Sequence, residues 1–365
     1  MGPAAEMGDA MKGCQSVRVP RCQSAKVPEC QSARVPRCQG AGRSSRVVMC
    51  WVVALLWCAV APASAQDRYA LIVSGASGGQ EYVVQYGRWC RDLSRTLVDN
   101  FKFDPAAVTV LSETGQPASA ATGDNVRREL ASLRQRMTRE DLLLVVLMGH
   151  GTFDGVDAKF NLVGPDLESA EWAAALRPIP GRVVVVDTTS ASFPFLERLA
   201  APRRVVITAT DSAAQRFDTV FPEYFIRALG DEASDLDKNG RISVWEAFAG
   251  ASSAVKRHYQ QRGQLSTERA LLDDNGDGAG KDVADQGADG SYASRTYLDE
   301  SLPGAAPTNE VLLRLFQRRT FLTAEVDDLK IRKNFLAPDE YAKEFERLMI
   351  ELARVSHDIR VRTGS

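Results

Sequence analysis

Cysteine is nearly missing from the chain beyond residue 65. The chain has seven cysteines, and six of them lie in the first 65 residues, which leaves Cys90 alone in the rest. A lone cysteine excludes an intramolecular disulfide, even in a compartment that would allow one. Cys90 lies among apolar residues at helical spacing, so we expect it to be a packing residue.

Two further absences exclude classes of ligand. The glycine-rich turn at residues 75–79 is followed by neither a GxGxxG nor a GKS/T pattern, so it is not a phosphate loop. The chain also has no basic excess. Of its 45 basic and 47 acidic residues, 8 and 3 lie in the first 65 positions, so the remainder carries about seven negative charges. This balance disfavours nucleic acid as a partner.

No apolar run is long enough to span a membrane comfortably. The apolar stretch at residues 47–61 follows Arg43 and Arg46 and precedes the Ala63-Ser-Ala65 triplet. A basic flank, a short apolar core and an A-x-A site are typical of a secretory signal peptide. We therefore expect residues 47–65 to be a signal peptide cleaved near Ala65 and Gln66. The mature protein would be secreted or periplasmic and have no membrane span.

Residues 1–46 contain an eight-residue repeat that begins at four successive cysteines, Cys14, Cys22, Cys30 and Cys38. The repeat has no apolar face to bury, which is typical of low-complexity sequence. It is interpreted as an extension that arises from repetitive DNA or a mis-assigned start. A metal-binding cysteine repeat is the alternative, although paired CxxC spacing is missing.

Alternating strands and helices are expected in residues 66–230. Apolar runs predict strands at residues 69–75, 108–111, 142–147, 183–186 and 205–209. Helical patterns lie at residues 81–100 and from about Thr122 or Asp124 onward. This alternation predicts a mostly parallel sheet that is flanked by helices, in the α/β class.

Polar residues follow two of these strands where ligands bind in such sheets. Gly149-His150-Gly151 ends the strand at 142–147, and the strand at 183–186 ends in Asp187, Thr188, Thr189 and Ser190. His150 could face the hydroxyl groups across a cleft. A histidine at a strand end could equally serve to bond a backbone carbonyl.

A calcium-binding EF-hand is predicted within residues 222–262. The loop begins at Asp235 and ends at Glu246, with Gly240 at its sixth position, and helical patterns flank it on both sides. An ordinary acidic turn would predict neither the glycine nor the final glutamate. The expected Ca²⁺ ligands are the side chains of Asp235, Asp237, Asn239, Ser243 and Glu246 and the backbone carbonyl of Arg241.

A second acidic turn lies in the loop and linker expected at residues 263–308. Asp273, Asn275, Asp277 and Gly278 follow the same loop order, but Ala284 occupies the twelfth position. The turn is either a weak second calcium site or a solvated turn. Residues 279–308, rich in Gly, Ala, Asp and Pro, predict a mobile loop or linker.

Residues 309–362 predict an antiparallel helical hairpin. Apolar residues recur there by fours and threes, as in a coiled-coil seam, between Arg, Lys and Glu residues. The hairpin would either pack on the body of the protein or associate with another copy.

Residues 69–230 resemble the caspase–legumain superfamily of cysteine peptidases, most closely its legumain-type branch. The resemblance rests on the strand order, on Gly149-His150-Gly151, and on the strand that ends in Asp187. It implies that His150 is the base and that the backbone N–H of Gly151 helps bind the oxyanion. It also implies a nucleophilic cysteine at position 189, where this chain has Thr189.

Three classes of function follow from this departure. A threonine hydroxyl is far less acidic than a thiol, so the leading hypothesis is a calcium-stabilised pseudopeptidase that binds a peptide or protein. The second is an active hydrolase that uses Thr189 or Ser190 with His150, oriented by Asp154 or Asp187. The third is a structural module that assembles through its C-terminal helices. Unrelated enzyme chemistry also remains open.

Overall fold

A six-stranded β-sheet, in the order β2-β1-β3-β7-β8-β9, forms the centre of the protein. The computed structural model describes residues 66–285, 287–300 and 309–363. The predicted repeat and signal peptide lie outside this described part. The strands are β1 Arg68–Ser74, β2 Val108–Ser112, β3 Leu142–Met148, β7 Arg182–Asp187, β8 Arg204–Thr208 and β9 Leu271–Asp273.

The five strands predicted from apolar runs are parallel, as expected. Parallel strands that are covered on both faces have no solvent side, so their sequences are apolar without alternation. All seven residues of β3 are buried. The parallel order puts the carboxyl ends of β1, β3, β7 and β8 at one edge, where His150 and residues 187–192 lie.

Two layers of helices cover the sheet. Helices α1 Gln80–Asp99, α5 Phe221–Gly230 and α6 Val244–Gln261 pack on one face. Helices α2 Gly123–Arg136, α3 Ser169–Leu176 and α4 Phe193–Leu199 pack on the other. Thr122 caps α2, as one of the two sequence candidates for that end, by accepting a hydrogen bond from the backbone N–H of Asn125 at 3.3 Å. Cys90 lies on α1 and is buried, as expected.

A small antiparallel sheet follows β3 directly. It consists of β4 Gly151–Phe153, β5 Ala158–Phe160 and β6 Leu167–Glu168. Gly151 therefore lies between two sheets. Phe160 is fully buried and contacts Trp172 of α3 edge-on, which anchors this small sheet to the main core.

The described residues of the loop and linker expected at 263–308 pack against the fold, and residues 301–308 lie outside the described part. β9 pairs antiparallel with β8 and closes one edge of the main sheet. The backbones of Leu272 and Lys281 exchange two hydrogen bonds of 2.9 and 2.8 Å. Ala293, Thr296 and Leu298 are at most 1% exposed. The composition of the segment gave no sign of these buried contacts, which a few residues make.

Arg68 ties the start of the sheet to the end of that segment. It is 7% exposed, and its guanidinium donates to the backbone carbonyls of Lys102 and Leu298, at 2.9 and 2.8 Å, and also to that of Phe101. Its ion pair with Glu300 is 3.1 Å long. Residues separated by 230 positions therefore share one buried hydrogen-bond network.

The predicted C-terminal hairpin consists of α7 Glu310–Ile331 and α8 Pro338–Thr363. The two helices pack against each other through a shared apolar cluster, which includes Leu322, Leu329, Leu348 and Val355. The predicted seam is thus filled within the chain. Among the described helices, none combines the length and apolar character that crossing a membrane requires.

Candidate functional site

A cavity of about 360 Å³ lies at the carboxyl edge of the sheet, where the sequence placed the site. Helix α1 forms one wall, the ends of β3 and β7 form the floor, and the segment before α5 forms the opposite wall. Its lining residues are Glu81, Tyr82, Gln85, Tyr86, Trp89, Gly149, His150, Thr188, Ser190, Asp218, Thr219, Val220 and Pro222.

His150 is held at both ring nitrogens. Its Nε2 lies 3.0 Å from the carbonyl oxygen of Ser77 and 3.2 Å from the hydroxyl of Tyr86. Its Nδ1 lies 3.5 Å from a carboxylate oxygen of Asp218. Both ring nitrogens therefore lie next to polar oxygen atoms, which hold the imidazole in one orientation.

Tyr82, Tyr86 and Asp218 complete the surroundings of the imidazole. The ring of Tyr82 packs edge-on against His150 at 4.7 Å, and its hydroxyl donates to Asp218 at 2.5 Å. This hydrogen bond raises the pKa of Tyr82, and burial raises the pKa of Tyr86. The sequence analysis identified neither tyrosine nor Asp218 as a site residue. The spacing of four between Tyr82 and Tyr86, which places both on one helical face, was the available signal.

Thr189, at the position of the expected nucleophile, is 1% exposed. Its Oγ1 is enclosed and makes no hydrogen bond of regular geometry, although the side chain lies close enough to the Asp187 carboxylate to offset part of the rise in the pKa of that group. The oxygen packs against Gly151, where an added Cβ would lie 2.8 Å away. Thr189 is not among the residues that line the cavity, whereas the half-buried Ser190 is.

The neighbouring hydroxyl of Thr188 is used structurally. It donates to the carbonyl oxygen of Leu147 at 2.7 Å and so links β7 to β3. The carbonyl of Thr188 in turn accepts a hydrogen bond of 2.5 Å from the hydroxyl of Thr219, which fixes the opposite wall of the cavity.

The carboxylate beside His150 is Asp218, and neither Asp154 nor Asp187 holds that place. Among the described residues, Asp218 alone forms an ion pair with His150. Asp154 instead accepts the backbone N–H groups of Val156 and Asp157 in its own turn. Asp187 is fully buried and accepts the backbone N–H of Thr189 at 3.0 Å, and burial raises its pKa to about 6. Strand-end position alone was therefore a poor guide to the orienting acid.

The predicted calcium loop lies between α5 and α6, as expected. Its acidic side chains converge: Asp235, Asp237 and Glu246 each place one oxygen within 4.8 Å of the others. Ca²⁺ binds oxygens at about 2.3–2.6 Å, so a single ion can bridge oxygens at this separation. Gly240 has a φ of 81°, the left-handed conformation that the turn requires at that position. The residues present fit Ca²⁺.

Two of the expected Ca²⁺ ligands, Ser243 and Glu246, also have a role that needs no metal. Ser243 and Glu246 form a reciprocal capping box at the start of α6. Glu246 also accepts the backbone N–H groups of Leu236 and Asp237, at 2.8 and 3.1 Å. Glu246 therefore organises the loop from within.

The remaining loop residues reach outward. Asn239 donates to Asp237 at 3.0 Å and to the hydroxyl of Tyr297 at 2.9 Å. The guanidinium of Arg241 forms a two-pronged pair with Asp299 and covers the ring of Tyr297 at 3.8 Å.

The loop also reaches the C-terminal hairpin. Asp237 accepts the backbone N–H of Asn309, just before α7, at 2.8 Å. The loop thereby contacts both segments that flank residues 301–308.

The second acidic turn is stabilised by its own backbone. Asp273 accepts the N–H groups of Gly276 and Gly278, and Asp277 accepts that of Ala279 while Asn275 donates to it at 3.1 Å. Among the described residues, only the first loop brings three acidic groups together at metal-binding distance.

Asp289 approaches this second turn from outside. It accepts the backbone N–H of Asp274 at 3.0 Å. Burial, reinforced by the charges of Asp273 and Asp274, raises its pKa to about 6.

No family model matches the chain. Over 62 residues, or 17% of this chain, it is 37% identical to Metacaspase-4 of Arabidopsis thaliana, and the match spans 15% of that protein's length. Among solved structures, protein GSU0716 of Geobacter sulfurreducens is 15% identical to the chain. The alignment covers 57% of this chain and 92% of that one, with a TM-score of 0.38. The local metacaspase match supports a caspase-like fold for this chain.

Proposed function

We propose that this protein is a caspase-fold pseudopeptidase that binds a peptide or protein ligand in the cavity around His150. The observation that carries the proposal is the burial of Thr189, whose hydroxyl is enclosed and does not line the cavity. A nucleophile must reach both its base and its substrate. Thr189 does not line the cavity and forms no hydrogen bond with His150, whose Nε2 lies against the Ser77 carbonyl and Tyr86. The proposal includes membership of this chain in the caspase–legumain family, and within that family in the legumain-type branch.

The cavity favours a ligand with a basic side chain beside an apolar one. Glu81 and Asp218 contribute two acidic groups, and Tyr82, Tyr86 and Trp89 contribute an aromatic wall. A lysine or arginine side chain can place its apolar stem along aromatic rings and its charge beside carboxylates. A volume of about 360 Å³ accommodates one or two side chains rather than a folded domain.

Fluorescence polarisation with labelled peptides tests this function. Peptides with one central Arg or Lys should bind, whereas matched peptides with Glu at that position should not. Asp218→Asn should weaken binding by about tenfold, since it removes a charge-assisted contact. Asp92→Asn, on the same helix as Glu81 but outside the cavity, should leave binding unchanged. Equal binding of basic and acidic peptides would contradict the proposal.

An active hydrolase is the second candidate, because Ser190 lines the same cavity as His150. Incubation of the peptides with the protein, followed by mass spectrometry, separates the two functions. The pseudopeptidase leaves them intact. Cleavage that disappears both on His150→Ala and on Ser190→Ala would replace the binding function with catalysis.

The proposal includes Ca²⁺ at the loop between α5 and α6, because the oxygens of Asp235, Asp237 and Glu246 converge there. Helix α5 begins at Phe221, whose two neighbours Val220 and Pro222 line the cavity, and it ends shortly before this loop. A bound ion would hold the carboxyl end of α5 against α6 and so stabilise one wall of the cavity. The second turn at Asp273 is assigned no ion.

We also propose that the protein works outside the cytoplasm, since residues 43–65 have the signal-peptide pattern. Intact-mass measurement on protein from the native host tests this point. A mature form that begins near Gln66 is expected, and one that retains residues 14–38 would contradict export by this signal. The proposed function does not include self-association through α7 and α8, because the apolar residues between these helices pack against each other within the chain.

A further inference from the structure

A second cavity, of about 300 Å³, lies at the opposite edge of the sheet from His150. The turns that precede β7 and β8 form it, together with the ends of α3 and α4. The amino ends of parallel strands form this edge, so the cavity is separate from the proposed peptide site.

Its charge is of one sign. Arg177, Arg198, Arg203 and Arg204 line the cavity, and no aspartate or glutamate is among its lining residues. Four like charges around one concavity repel each other, and the arrangement is unfavourable unless an anion compensates it.

Arg204 lies at the bottom and is 7% exposed. Its Nη1 donates to the carbonyl of Leu199 at 2.7 Å and its Nη2 to that of Leu176 at 3.1 Å, whereas its Nε is buried with no partner among the described residues. The two carbonyls fix the guanidinium without neutralising it. Burial lowers the pKa of Arg204, and the charge of Arg177 adds to this effect.

The other arginines stand at the rim. Arg177 and Arg198 are exposed, and within the described ranges neither has a carboxylate at ion-pair distance. Arg203 donates to the carbonyl of Arg139 at 3.0 Å, which also leaves its charge uncompensated. Three rim guanidinium groups and one buried group therefore surround a single space.

We propose that this cavity binds a small organic molecule through a phosphate group. Guanidinium groups pair with phosphate oxygens through parallel hydrogen bonds, and a phosphate dianion offers enough acceptors for several arginines at once. The volume suits a phosphate with a small organic substituent, at the lower limit of ordinary ligand sites. The negative balance of the chain beyond residue 65 disfavours a nucleic-acid backbone as the source of the phosphate.

Isothermal titration calorimetry on the full-length mature protein, at constant ionic strength, tests the site. The probes are inorganic phosphate, glucose 6-phosphate, a phosphoserine peptide and citrate. Inorganic phosphate should bind, and glucose 6-phosphate should bind more tightly. Arg177→Gln and Arg198→Gln should each weaken binding of glucose 6-phosphate by about tenfold. Both residues are exposed, so the variants should fold, and their melting temperatures check this.

Arg134→Gln is the matched control, since Arg134 is an exposed arginine on α2 outside the cavity. It should leave the affinity unchanged. Unaltered binding in both cavity variants would overturn the proposal, as would no measurable binding of any phosphate. If the phosphoserine peptide binds more tightly than glucose 6-phosphate, the ligand is a phosphorylated protein and the proposal is wrong. If citrate binds as tightly as glucose 6-phosphate, the site does not select phosphate, which also contradicts the proposal. Binding of the labelled basic peptides to the cavity around His150 is an independent readout, because loss of phosphate binding should not change the affinity for these peptides.

Discussion

Asp218 lies between His150 and Tyr82, with one carboxylate oxygen 3.5 Å from the imidazole Nδ1 and the other accepting the tyrosine hydroxyl at 2.5 Å. In a catalytic triad an acid holds one nitrogen of the histidine so that the other can take a proton from the nucleophile. Here the second nitrogen lies 3.0 Å from the carbonyl of Ser77. The acid and the imidazole therefore both contribute polar atoms to one side of the cavity.

Thr189→Val should leave the protein equally stable or stabilise it by about 1 kcal/mol. The valine keeps the shape of the side chain and removes a buried hydroxyl that makes no hydrogen bond of regular geometry, its nearby polar group being the Asp187 carboxylate. Urea denaturation measures the change in the free energy of unfolding.

Thr188→Val is the matched control, since Thr188 is equally buried but its hydroxyl bonds the Leu147 carbonyl at 2.7 Å. It should destabilise the protein by about 1 kcal/mol. Equal destabilisation by the two substitutions would mean that the Thr189 hydroxyl has an unrecognised partner.

Asp187 should make the protein less stable as the pH rises from about 4 to 7. Burial raises its folded-state pKa to about 6, above the ordinary value of 3.8. The favourable contribution of its protonated form is complete below pH 4 and is lost as the pH rises through 6. The loss amounts to about 3 kcal/mol, from about two pKa units.

Asp187→Asn should remove this pH dependence, because an amide does not titrate. The amide oxygen can still accept the N–H of Thr189, so the fold should be retained. Unfolding experiments between pH 4 and 8 should give a flatter profile for the variant, which exceeds the wild type in stability at pH 7. Asp154→Asn should leave the profile in this pH range unchanged, since hydrogen bonds from the N–H groups of Asp157 and Val156 lower the pKa of Asp154 and place its titration below pH 4. Parallel profiles for the wild type and Asp187→Asn would contradict the raised pKa.

Calcium should raise the melting temperature, and Glu246→Gln should abolish most of that rise. At one hundred times its dissociation constant, a ligand stabilises the folded state by about 2.7 kcal/mol. Differential scanning calorimetry with calcium and with chelator measures the effect. Asp273→Asn, in the second turn, should retain the full calcium response. Equal melting temperatures for the wild-type protein with calcium and with chelator would refute the site.

Glu268→Ala should destabilise the protein by about 2 kcal/mol and weaken peptide binding. The carboxylate of Glu268 is 4% exposed and accepts the N–H groups of Val220 and Phe221, at 2.8 and 3.1 Å, and the hydroxyl of Tyr259 at 2.9 Å. Its loss leaves three donors unpaired at the wall of the cavity.

Glu223→Ala is the control, since Glu223 lies on α5, the helix whose first residue, Phe221, donates its N–H to Glu268. Glu223 forms only partly exposed ion pairs with Arg88 and Arg227, and such pairs contribute at most about 1 kcal/mol. Urea denaturation and fluorescence polarisation give the two readouts. A Glu268→Ala variant as stable as Glu223→Ala would show that the buried contacts contribute little.

The parallel part of the sheet could be predicted because each of its strands has a continuous apolar run. β9 could not be predicted in this way. It has only three residues, and its pairing with Val206, Ile207 and Thr208 is set by tertiary contacts more than sixty positions away. Short strands of this kind have almost no local pattern.

The candidate site also has residues that a sequence pattern marks and residues that only tertiary contacts bring together. The sequence placed His150 and Gly151 beside the cavity because a strand end and a motif mark them, and the spacing of acidic residues marked the loop from Asp235 to Glu246, where three carboxylates converge. Asp218 lies in a loop without a regular pattern, and tertiary contacts bring it to His150, among them the packing of α5 against α1 and the hydrogen bond from Thr219 to Thr188. The burial of Thr189 likewise depends on the small sheet that begins at Gly151.

Arg68 has a consequence for how the protein can be divided. Residues 66–230 look self-sufficient by sequence, yet the buried guanidinium of Arg68 needs the carbonyl of Leu298, and β8 needs β9 to cover its edge. A fragment that ends at residue 262 would keep the cavity residues but expose one strand edge and leave a guanidinium short of a partner. Such a fragment should aggregate through that edge. The first strand of the sheet therefore reaches its final hydrogen bonding only after nearly three hundred residues have been synthesised, and a nascent chain stalled earlier should stay sensitive to protease.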